Sequence, residues 1–369
     1  MPFFKFKNIK ISAIASAVPS KIVKSTDFED EFGKESVQKF IDMTGVKEHR
    51  VTAEHQTASD LGYVAAEKIL TEKILRKNIN RSEIGAIVFG AHSTDYRRPA
   101  TACVLHKRLG LDKECAAFDV SLGCSAFVYC VQTAAALMQS SDIDKALVIV
   151  GETMTKMVNP KDKSSVMLFG DGGAAALLEK TETDCEINGL LRSDGNGYRA
   201  IIAPAGGFRN MNAPEDVMIW ADGNPRTLYN TNMNGTDVFA FTISDVPKAI
   251  KQFFKKMGTT VEDYDCLAIH QANRFIHKQL AKKLKTDVER MPMCLDRYGN
   301  TSSPAIPLVL SDTFGDNEED KDIHVLMCGF GVGLSWGVLS ATINIKDIYS
   351  VIETDQYFKE GIINSPEDM

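Results

Sequence analysis

The sequence predicts a layered α/β fold in which helices cover buried sheets and the chain is built from two similar halves. The first observation is that short apolar runs alternate along the chain with stretches of helical periodicity. These runs are too apolar to face water on either side, which is typical of sheets covered by helices on both faces. The predicted strands are residues 86–90, 116–120, 146–151, 174–179, 267–270, 324–328 and 334–343.

The second observation is an internal repeat. Residues 144–151 (DKALVIVG) resemble residues 322–329 (DIHVLMCG), an offset of about 178 residues. The same shift carries residues 118–127 onto residues 296–305, in the same order along the chain. Because two separate segments agree on one offset, the sequence predicts that the chain is duplicated.

The repeat also sets the expected division of the chain. In the alignment of the repeat, the predicted strand before His92 falls close to the predicted strand before His270. We expect two halves, 1–180 and 181–346, related by a pseudo-twofold axis, with equivalent strand-end loops meeting at a shared centre. Residues 347–369 have no counterpart, and their acidic, proline-containing end predicts a C-terminal surface tail.

Composition and charge exclude several classes of protein. The 369 residues are 44% apolar and 25% charged, an ordinary globular balance. A net charge of −7 provides no global positive field for nucleic acid or an anionic membrane, although a local basic patch stays open. No run approaches the roughly 18 apolar residues of a spanning helix. Eight cysteines without CxxC pairs, and a start unlike a secretory signal, predict a cytoplasmic location.

Cys124 is the candidate nucleophile. An apolar strand ends at Val120, a Ser-Leu-Gly turn follows, and a helical pattern begins at Ser125. At a helix N-terminus the free amide groups and the macrodipole favour a thiolate, which predicts a thiol pKa below the ordinary value of about 8.5. The same amides can bind a developing oxyanion. We interpret the other seven cysteines as small buried hydrophobic residues.

His270 is the candidate acid, base or hydrogen-bond donor. It ends an apolar strand, and a helix with one apolar stripe begins around Asn273. A histidine at a strand end can project into a crevice and act on a substrate. The alternative for a lone histidine is a structural side chain with its hydrogen bonds satisfied. That second interpretation is given to His49, His55, His106, His277 and His324.

Two turn segments complete the set of candidates. Residues 298–307 contain Asn300, a neutral donor that can bind a carbonyl oxygen, although turn formation alone also explains an asparagine beside a glycine. Residues 328–337 are rich in glycine but do not match the dinucleotide-binding fingerprint. Their glycines would let backbone amides approach a reacting centre closely.

Five motifs taken together resemble one family. GCSAFVY, LFGDGGAAALLE, HQANRFI, YGNTSSPAIP and GFGVGLSWG closely resemble β-ketoacyl-acyl carrier protein synthase III, from the condensing branch of the thiolase superfamily. The resemblance runs from TGVKEHR near residue 45 to about residue 345. It implies the thiolase fold, a five-layered α-β-α-β-α sandwich of two duplicated halves, and a homodimer. It also implies that no cofactor is needed, because thioesters of coenzyme A or acyl carrier protein are the substrates.

The resemblance also implies roles for the candidate residues. Cys124, in the first half, would accept the acyl group, and His270 and Asn300, in the second half, would complete a Cys-His-Asn triad. The implied reaction loads an acyl thioester onto Cys124 and condenses it with malonyl-acyl carrier protein, releasing carbon dioxide, as in fatty acid biosynthesis. The backbone of Cys124 and of the glycine-rich turn would form an oxyanion hole beside an aromatic residue. These turn residues are Phe330, Gly331, Val332 and Gly333.

Three departures from the family pattern change the expected specificity. Lys39 and Met43 stand where the family has the tryptophan and arginine of the coenzyme A entrance, which weakens the expectation of that donor. Arg98 replaces the phenylalanine that limits acyl length across the dimer interface, which predicts a polar or carboxylated acyl group, or a rotated gate. The order Arg274-Phe275 is also unusual. The expected carrier-binding residues are Arg274, Lys278 and Lys282.

Other functions remain open at this stage. The acyl group on Cys124 could pass to an alcohol or amine, giving an ester or amide without decarboxylation. The chain could also be a non-catalytic partner subunit of a heterodimeric synthase. A cysteine protease is disfavoured because the GCSAF context lacks the papain-type sequence around the cysteine. No metal site is predicted, since the histidines and cysteines have neither zinc-finger nor HExxH spacing.

Overall fold

Two sheets occupy the centre of the structure, a computed structural model that describes residues 3–76, 79–315 and 317–368. In chain order the strands are β1 (Phe3–Lys7), β2 (Ile9–Pro19), β3 (Ile22–Lys24), β4 (Glu48–Arg50), β5 (Ile84–Gly90), β6 (Ala116–Val120), β7 (Lys145–Glu152), β8 (Gly172–Lys180), β9 (Glu186–Ser193), β10 (Ile201–Ile202), β11 (Met218–Ile219), β12 (Pro225–Arg226), β13 (Asn232–Met233), β14 (Cys266–Ile269), β15 (Asp322–Gly331), β16 (Ser335–Asn344) and β17 (Ile352–Thr354). The helices are α1 (Glu29–Phe32), α2 (Lys34–Thr44), α3 (Ala58–Leu75), α4 (Thr101–Arg108), α5 (Ala126–Gln139), α6 (Gly235–Met257), α7 (Arg274–Leu284), α8 (Leu295–Tyr298) and α9 (Ala305–Phe314).

The two sheets have matching strand orders. One runs β17-β2-β8-β7-β5-β6 and the other runs β1-β9-β16-β15-β14. Strands β7 and β15 occupy equivalent positions, because each pairs in parallel with β5 or β14 on one side and antiparallel with β8 or β16 on the other. These are the two strands that the internal repeat aligned. The duplicated α/β fold predicted from the sequence is therefore confirmed.

The sheets and helices stack in five layers. Helix α3 packs on the sheet that contains β8, α6 packs with α7 on the sheet that contains β16, and α5 and α9 lie between the sheets and contact both. Because α5 is enclosed by the two sheets, its sequence is apolar on nearly every side. Across the described ranges, every helix is too short or too polar to form a transmembrane span.

The two halves exchange their edge strands. β1 pairs antiparallel with β9, with Phe3 opposite Leu190, so the first strand lies in the sheet of the second half. β17 pairs in parallel with β2, with Ile352 opposite Ala17, so the last strand lies in the sheet of the first half. Apart from β1 and β17, the strands of one sheet lie within residues 1–180 and those of the other lie within residues 181–346.

The segment after residue 346 is anchored along much of its length. Besides β17, the side-chain amide of Gln56 donates to the carbonyls of Thr354 (2.9 Å) and Gln356 (3.1 Å). The hydroxyl of Tyr96 donates to the carbonyl of Gly361 at 2.6 Å. The predicted surface tail is therefore limited to the end of the chain, where residues 366–368 are exposed; Met369 lies outside the described residues.

A buried arginine fixes the excursion between β10 and β13. Arg226 is only 1% exposed, and its Nε donates to Asp162 at 2.5 Å. Its Nη2 donates to Asp222 (2.8 Å) and to the hydroxyl of Ser164 (2.8 Å). The residues around Asp162 lead directly into Leu168 and Phe169, which line the cavity described below. The cluster therefore holds the excursion against one wall of that cavity.

Replacing Arg226 with methionine is expected to lower the free energy of unfolding by about 3–5 kcal/mol, because the carboxylate of Asp162 would stay buried without its cation. Urea unfolding followed by far-UV circular dichroism measures the loss. Arg209→Met, at an exposed position, is the matched control. If both variants unfold within about 0.5 kcal/mol of the wild type, the buried pair does not hold the excursion in place.

Candidate active site

Cys124 lies where the central layer begins. The turn after β6 leads to it, and α5 starts two residues later, at Ala126. The amide of Ala126 donates to the carbonyl of Gly123 at 2.7 Å, which closes the turn. The side chain is buried, with 8% of the residue exposed. The structure therefore places the thiol just before the helix N-terminus, as the sequence predicts.

His270 and Asn300 reach the same point from the second half. His270 directly follows β14, and its amide donates to the carbonyl of Cys328 at 2.9 Å. Asn300 lies in the loop before α9. Its backbone amide donates to the carbonyl of Leu168 at 2.8 Å, and its side-chain Oδ1 accepts from the backbone amide of Ser302 at 3.0 Å. These bonds orient the carboxamide so that its oxygen is engaged by the loop. Both residues are buried.

Cys124, His270 and Asn300 line one cavity of about 330 Å³. Most of the remaining lining is apolar, and the mouth carries Met43 and Phe275, which are 58% and 44% exposed. The other apolar side chains are Met154, Leu168, Phe169, Ile201, Met233, Val238, Phe239, Ala272, Ile276, Phe330 and Val332. A cavity of this kind excludes water from the three polar groups and accepts an apolar chain.

The glycine-rich hairpin between β15 and β16 closes over the sulfur. A Cβ atom at Gly331 would lie 2.8 Å from Sγ of Cys124, so only glycine allows this backbone to approach so closely. The ring of Phe330 meets the ring of His270 edge to face, with 5.3 Å between centroids. Val332 also lines the cavity, whereas Gly333 is outside its lining. The backbone of Val332 and of Cys124 lies near enough to the thiol to favour its thiolate form.

Burial controls the protonation of both catalytic candidates. The pKa of Cys124 is raised to about 11, mainly by burial and in part by the nearby charge of Glu152, against the lowering effect of Ser302 and of the Val332 and Cys124 backbone. Burial lowers the pKa of His270 to about 3, opposed by a backbone hydrogen bond with Ser302. The predicted lowering of the thiol pKa is therefore wrong, because loss of hydration outweighs the effect of the helix N-terminus. At neutral pH the site holds a thiol and a neutral imidazole.

The residues predicted to lie at the entrance occupy different positions relative to the cavity. Met43 lines the mouth of the cavity. Lys39 is exposed, forms a 2.7 Å ion pair with Glu35, and is outside the cavity lining. Arg98 is also exposed and outside the lining of the cavity in its own chain. Of the two predicted entrance residues in α2, only Met43 therefore lines the cavity, and the role of Lys39 stays a prediction.

The three residues expected to bind a carrier also differ from one another. Arg274 is partly buried, and its guanidinium donates to the carbonyls of Ile41 and Asp42 near the C-terminus of α2. It therefore ties α7 to α2 beside the mouth. Lys278 and Lys282 are exposed on α7. The helix α6, which contacts α7, also carries exposed lysines, which are Lys248, Lys251, Lys255 and Lys256.

Sequence reasoning missed one residue at the centre of the site. Ser302 lies beside the sulfur of Cys124, with 3.6 Å between Oγ and Sγ. A signal was present, because the repeat offset of 178 residues separates these two positions. The apolar lining residues Met154 and Met233 were also missed, since they come from distant loops without a shared motif.

Comparisons with known proteins agree with this geometry. Residues 118–195 match the family model 3-oxoacyl-[acyl-carrier-protein (ACP)] synthase III, and residues 254–343 match the model of its C-terminal part. The chain is 34% identical over 337 residues to a β-ketoacyl-[acyl-carrier-protein] synthase III of Symbiobacterium thermophilum, covering 91% of this chain and 98% of that protein. It is 32% identical to the enzyme of the same name from Caldanaerobacter subterraneus, covering 88% and 95%.

A solved structure extends the comparison to the fold. The 3-oxoacyl-(acyl-carrier protein) synthase of Burkholderia xenovorans superposes with a TM-score of 0.89 at 33% identity, covering 96% of this chain and 99% of that one. The family models, the curated relatives and the solved structure all indicate the same family. The chain belongs to the β-ketoacyl-[acyl-carrier-protein] synthase III family.

Proposed function

We propose that this protein is a condensing acyltransferase that loads an acyl group onto Cys124 and joins it to malonyl-acyl carrier protein, giving a β-ketoacyl thioester and carbon dioxide. The family supports this activity, since the named relatives are β-ketoacyl-[acyl-carrier-protein] synthases. The observation that carries the proposal is one apolar cavity lined by a thiol, an imidazole and a carboxamide. The thiol suits the acyl-loading half-reaction, and the imidazole and the carboxamide suit the condensing half-reaction.

In the first half-reaction the sulfur of Cys124 attacks the thioester carbonyl of the donor. The bond from the acyl carbon to the carrier sulfur breaks, a new bond to Sγ forms, and the thiol proton leaves with the carrier thiol. Reactants and products carry the same charge, which suits a buried cavity where a net charge is costly. The amides of Cys124 and Val332 lie at the sulfur and support a role in stabilising the tetrahedral oxyanion.

In the second half-reaction His270 and Asn300 bind the thioester oxygen of the malonyl group. Loss of carbon dioxide leaves an enolate, whose carbon attacks the acyl group on Cys124; the released thiolate then takes up a proton. Neutral donors stabilise the enolate oxygen without protonating it. The low pKa of His270, caused by burial, keeps the imidazole neutral through physiological pH and supports this role.

The donor and the malonyl group arrive, in this proposal, on an acyl carrier protein that docks beside the cavity mouth. Exposed lysines on α6 and α7, among them Lys251, Lys255, Lys278 and Lys282, give an acidic partner a complementary surface. The mouth itself presents Met43 and Phe275 rather than a guanidinium, which favours a carrier over coenzyme A. The reaction needs no metal or other cofactor.

Two finer properties belong to the same proposal. The protein is a homodimer in the cytoplasm, and β6 supports the dimer because it is an edge strand with one side unpaired by the described residues. The acyl group carried by Cys124 is apolar, since nearly all the lining that this chain supplies is apolar. This favours a plain acyl chain over the carboxylated acyl group that Arg98 predicts from the sequence.

The test uses malonyl-acyl carrier protein labelled with ¹³C at the free carboxylate, together with an acyl-carrier donor. We expect an acyl-enzyme adduct by intact-protein mass spectrometry, and one labelled carbon dioxide for each β-ketoacyl product. Loading without carbon dioxide release would favour an ester- or amide-forming transferase. Failure to load any carrier or coenzyme A donor would indicate a non-catalytic subunit.

A further inference from the structure

Ser302 touches the reacting atom of the site. Its hydroxyl lies 3.6 Å from the sulfur of Cys124, within hydrogen-bonding distance for an oxygen and a sulfur. Both residues are buried, with 3% of Ser302 and 8% of Cys124 exposed. Among the described residues the hydroxyl makes no other hydrogen bond, so the sulfur is its partner.

Ser302 also has an unusual backbone. Its φ angle is +61°, in the left-handed region that residues with a side chain rarely adopt. Such conformations persist where the surroundings enforce them, and they cluster at functional sites. Here the amide of Ser302 donates to Oδ1 of Asn300 at 3.0 Å. One residue therefore contacts both Cys124 and Asn300.

The neighbouring backbone leaves space for this hydroxyl. A Cβ atom at Gly123 would lie 3.1 Å from Oγ of Ser302 and 2.9 Å from the ring of His92. The absence of a side chain at Gly123 thus lets the serine approach the nucleophile. The hydroxyl and the hairpin amides can then act on the sulfur together.

The pseudo-twofold axis explains why a hydroxyl stands at this position. The two residues are 178 positions apart, the offset of the internal repeat, and each lies just before a helix of the central layer. Cys124 precedes α5 and Ser302 precedes α9. The two helices begin head to head, so that the thiol of one half meets the hydroxyl of the other.

We propose that Ser302 is a further catalytic residue, whose hydroxyl donates a hydrogen bond to Sγ of Cys124 and stabilises the thiolate. The sulfur carries negative charge twice in the proposed cycle, when it attacks the donor and when the condensed product leaves. A buried thiolate needs nearby donors, because the cavity excludes the water that would otherwise solvate it. The part of this inference that concerns turnover rests on the proposed function, whereas the hydrogen bond does not.

Several titratable groups surround the sulfur and enter its pH dependence. Glu152, at the end of β7, disfavours the thiolate. His270, after β14, is neutral above about pH 3 because burial lowers its pKa. His92, after β5, packs against Gly123. Since none of these groups is changed by a substitution at Ser302, a shift in thiol reactivity can be assigned to the hydroxyl.

The test is the rate at which iodoacetamide alkylates Cys124 between pH 6 and pH 10, read by mass spectrometry of the peptide that contains Cys124. We expect Ser302→Gly and Ser302→Ala to alkylate about tenfold more slowly than the wild type at each pH, which is the size expected for losing a hydrogen bond to a charged group. Glycine tolerates the left-handed backbone and alanine does not, so agreement between the two variants separates the hydroxyl from backbone strain.

Ser303→Ala is the matched control. This neighbouring hydroxyl is equally buried and has no hydrogen-bond partner among the described residues. Wild-type alkylation by Ser302→Gly would overturn the inference, as would equal slowing by Ser303→Ala. A wild-type enzyme that never forms an acyl-enzyme, but whose alkylation still depends on Ser302, would overturn the proposed function and leave the hydrogen bond standing.

Discussion

Replacing Cys124 with alanine is expected to abolish acyl loading and to lower the rate of condensation by at least about 10⁴-fold. The thiol is the strongest nucleophile among the groups that line the cavity, because the others are apolar, amide or imidazole, apart from the hydroxyl of Thr242, which has no hydrogen-bond partner among the described residues to activate it. His270 and Asn300 stay in place in this variant. We therefore expect slow decarboxylation of malonyl-acyl carrier protein to continue without formation of a β-ketoacyl product.

Mass spectrometry of the intact protein, together with product and carbon dioxide assays, checks this result. Cys103→Ala is the matched control, since Cys103 is an exposed free thiol outside the cavity. That variant should load and condense like the wild type. Acylation of the Cys124→Ala protein at any other residue, with product formed at a normal rate, would remove Cys124 from the mechanism.

Replacing Asn300 with aspartate is expected to leave acyl loading within about threefold of the wild type and to slow decarboxylative condensation by about 10²–10³-fold. Aspartate has nearly the same shape, and its Oδ1 can still accept from the amide of Ser302, so the loop keeps its hydrogen bond. The lost feature is the donor that faces the cavity. A negative charge there would repel the enolate oxygen.

The two half-reactions must be measured separately to test this. Single-turnover loading is followed by mass spectrometry, and carbon dioxide release is followed with labelled malonyl-acyl carrier protein. Asn8→Asp, at an exposed position, is the control for the same change in charge. We expect His270→Ala to behave like Asn300→Asp, with acyl loading retained and condensation slowed. Equal losses in loading and condensation for both active-site variants would contradict the proposed division of labour.

Local patterns predicted the positions of Cys124 and His270 in the fold. The strand, turn and helix around Cys124 are contiguous in sequence, and so are the strand and helix around His270. Short-range rules for strand ends and helix starts therefore place both side chains correctly. The repeat added the relation between the halves, because equal offsets in sequence became equivalent positions in two sheets.

Properties that depend on distant packing were less accessible from the sequence. The pKa of the Cys124 thiol depends on how completely both sheets and the hairpin exclude water, which no local motif encodes. The engagement of Arg274 by carbonyls of α2 depends on a helix more than 200 residues earlier in the chain. Likewise, no motif announces that β1 and β17 pair with strands of the opposite half.

The crossed positions of β1 and β17 bear on whether either half can exist alone. A chain divided at residue 180 would leave each fragment holding a strand that belongs in the other fragment's sheet, with β9 and β2 each lacking a neighbour. Bare sheet edges of that kind recruit other chains and promote aggregation. Each fragment therefore supplies the edge strand that the other fragment lacks. The protein can be divided at residue 180 only by fragment complementation, in which the two fragments are refolded together.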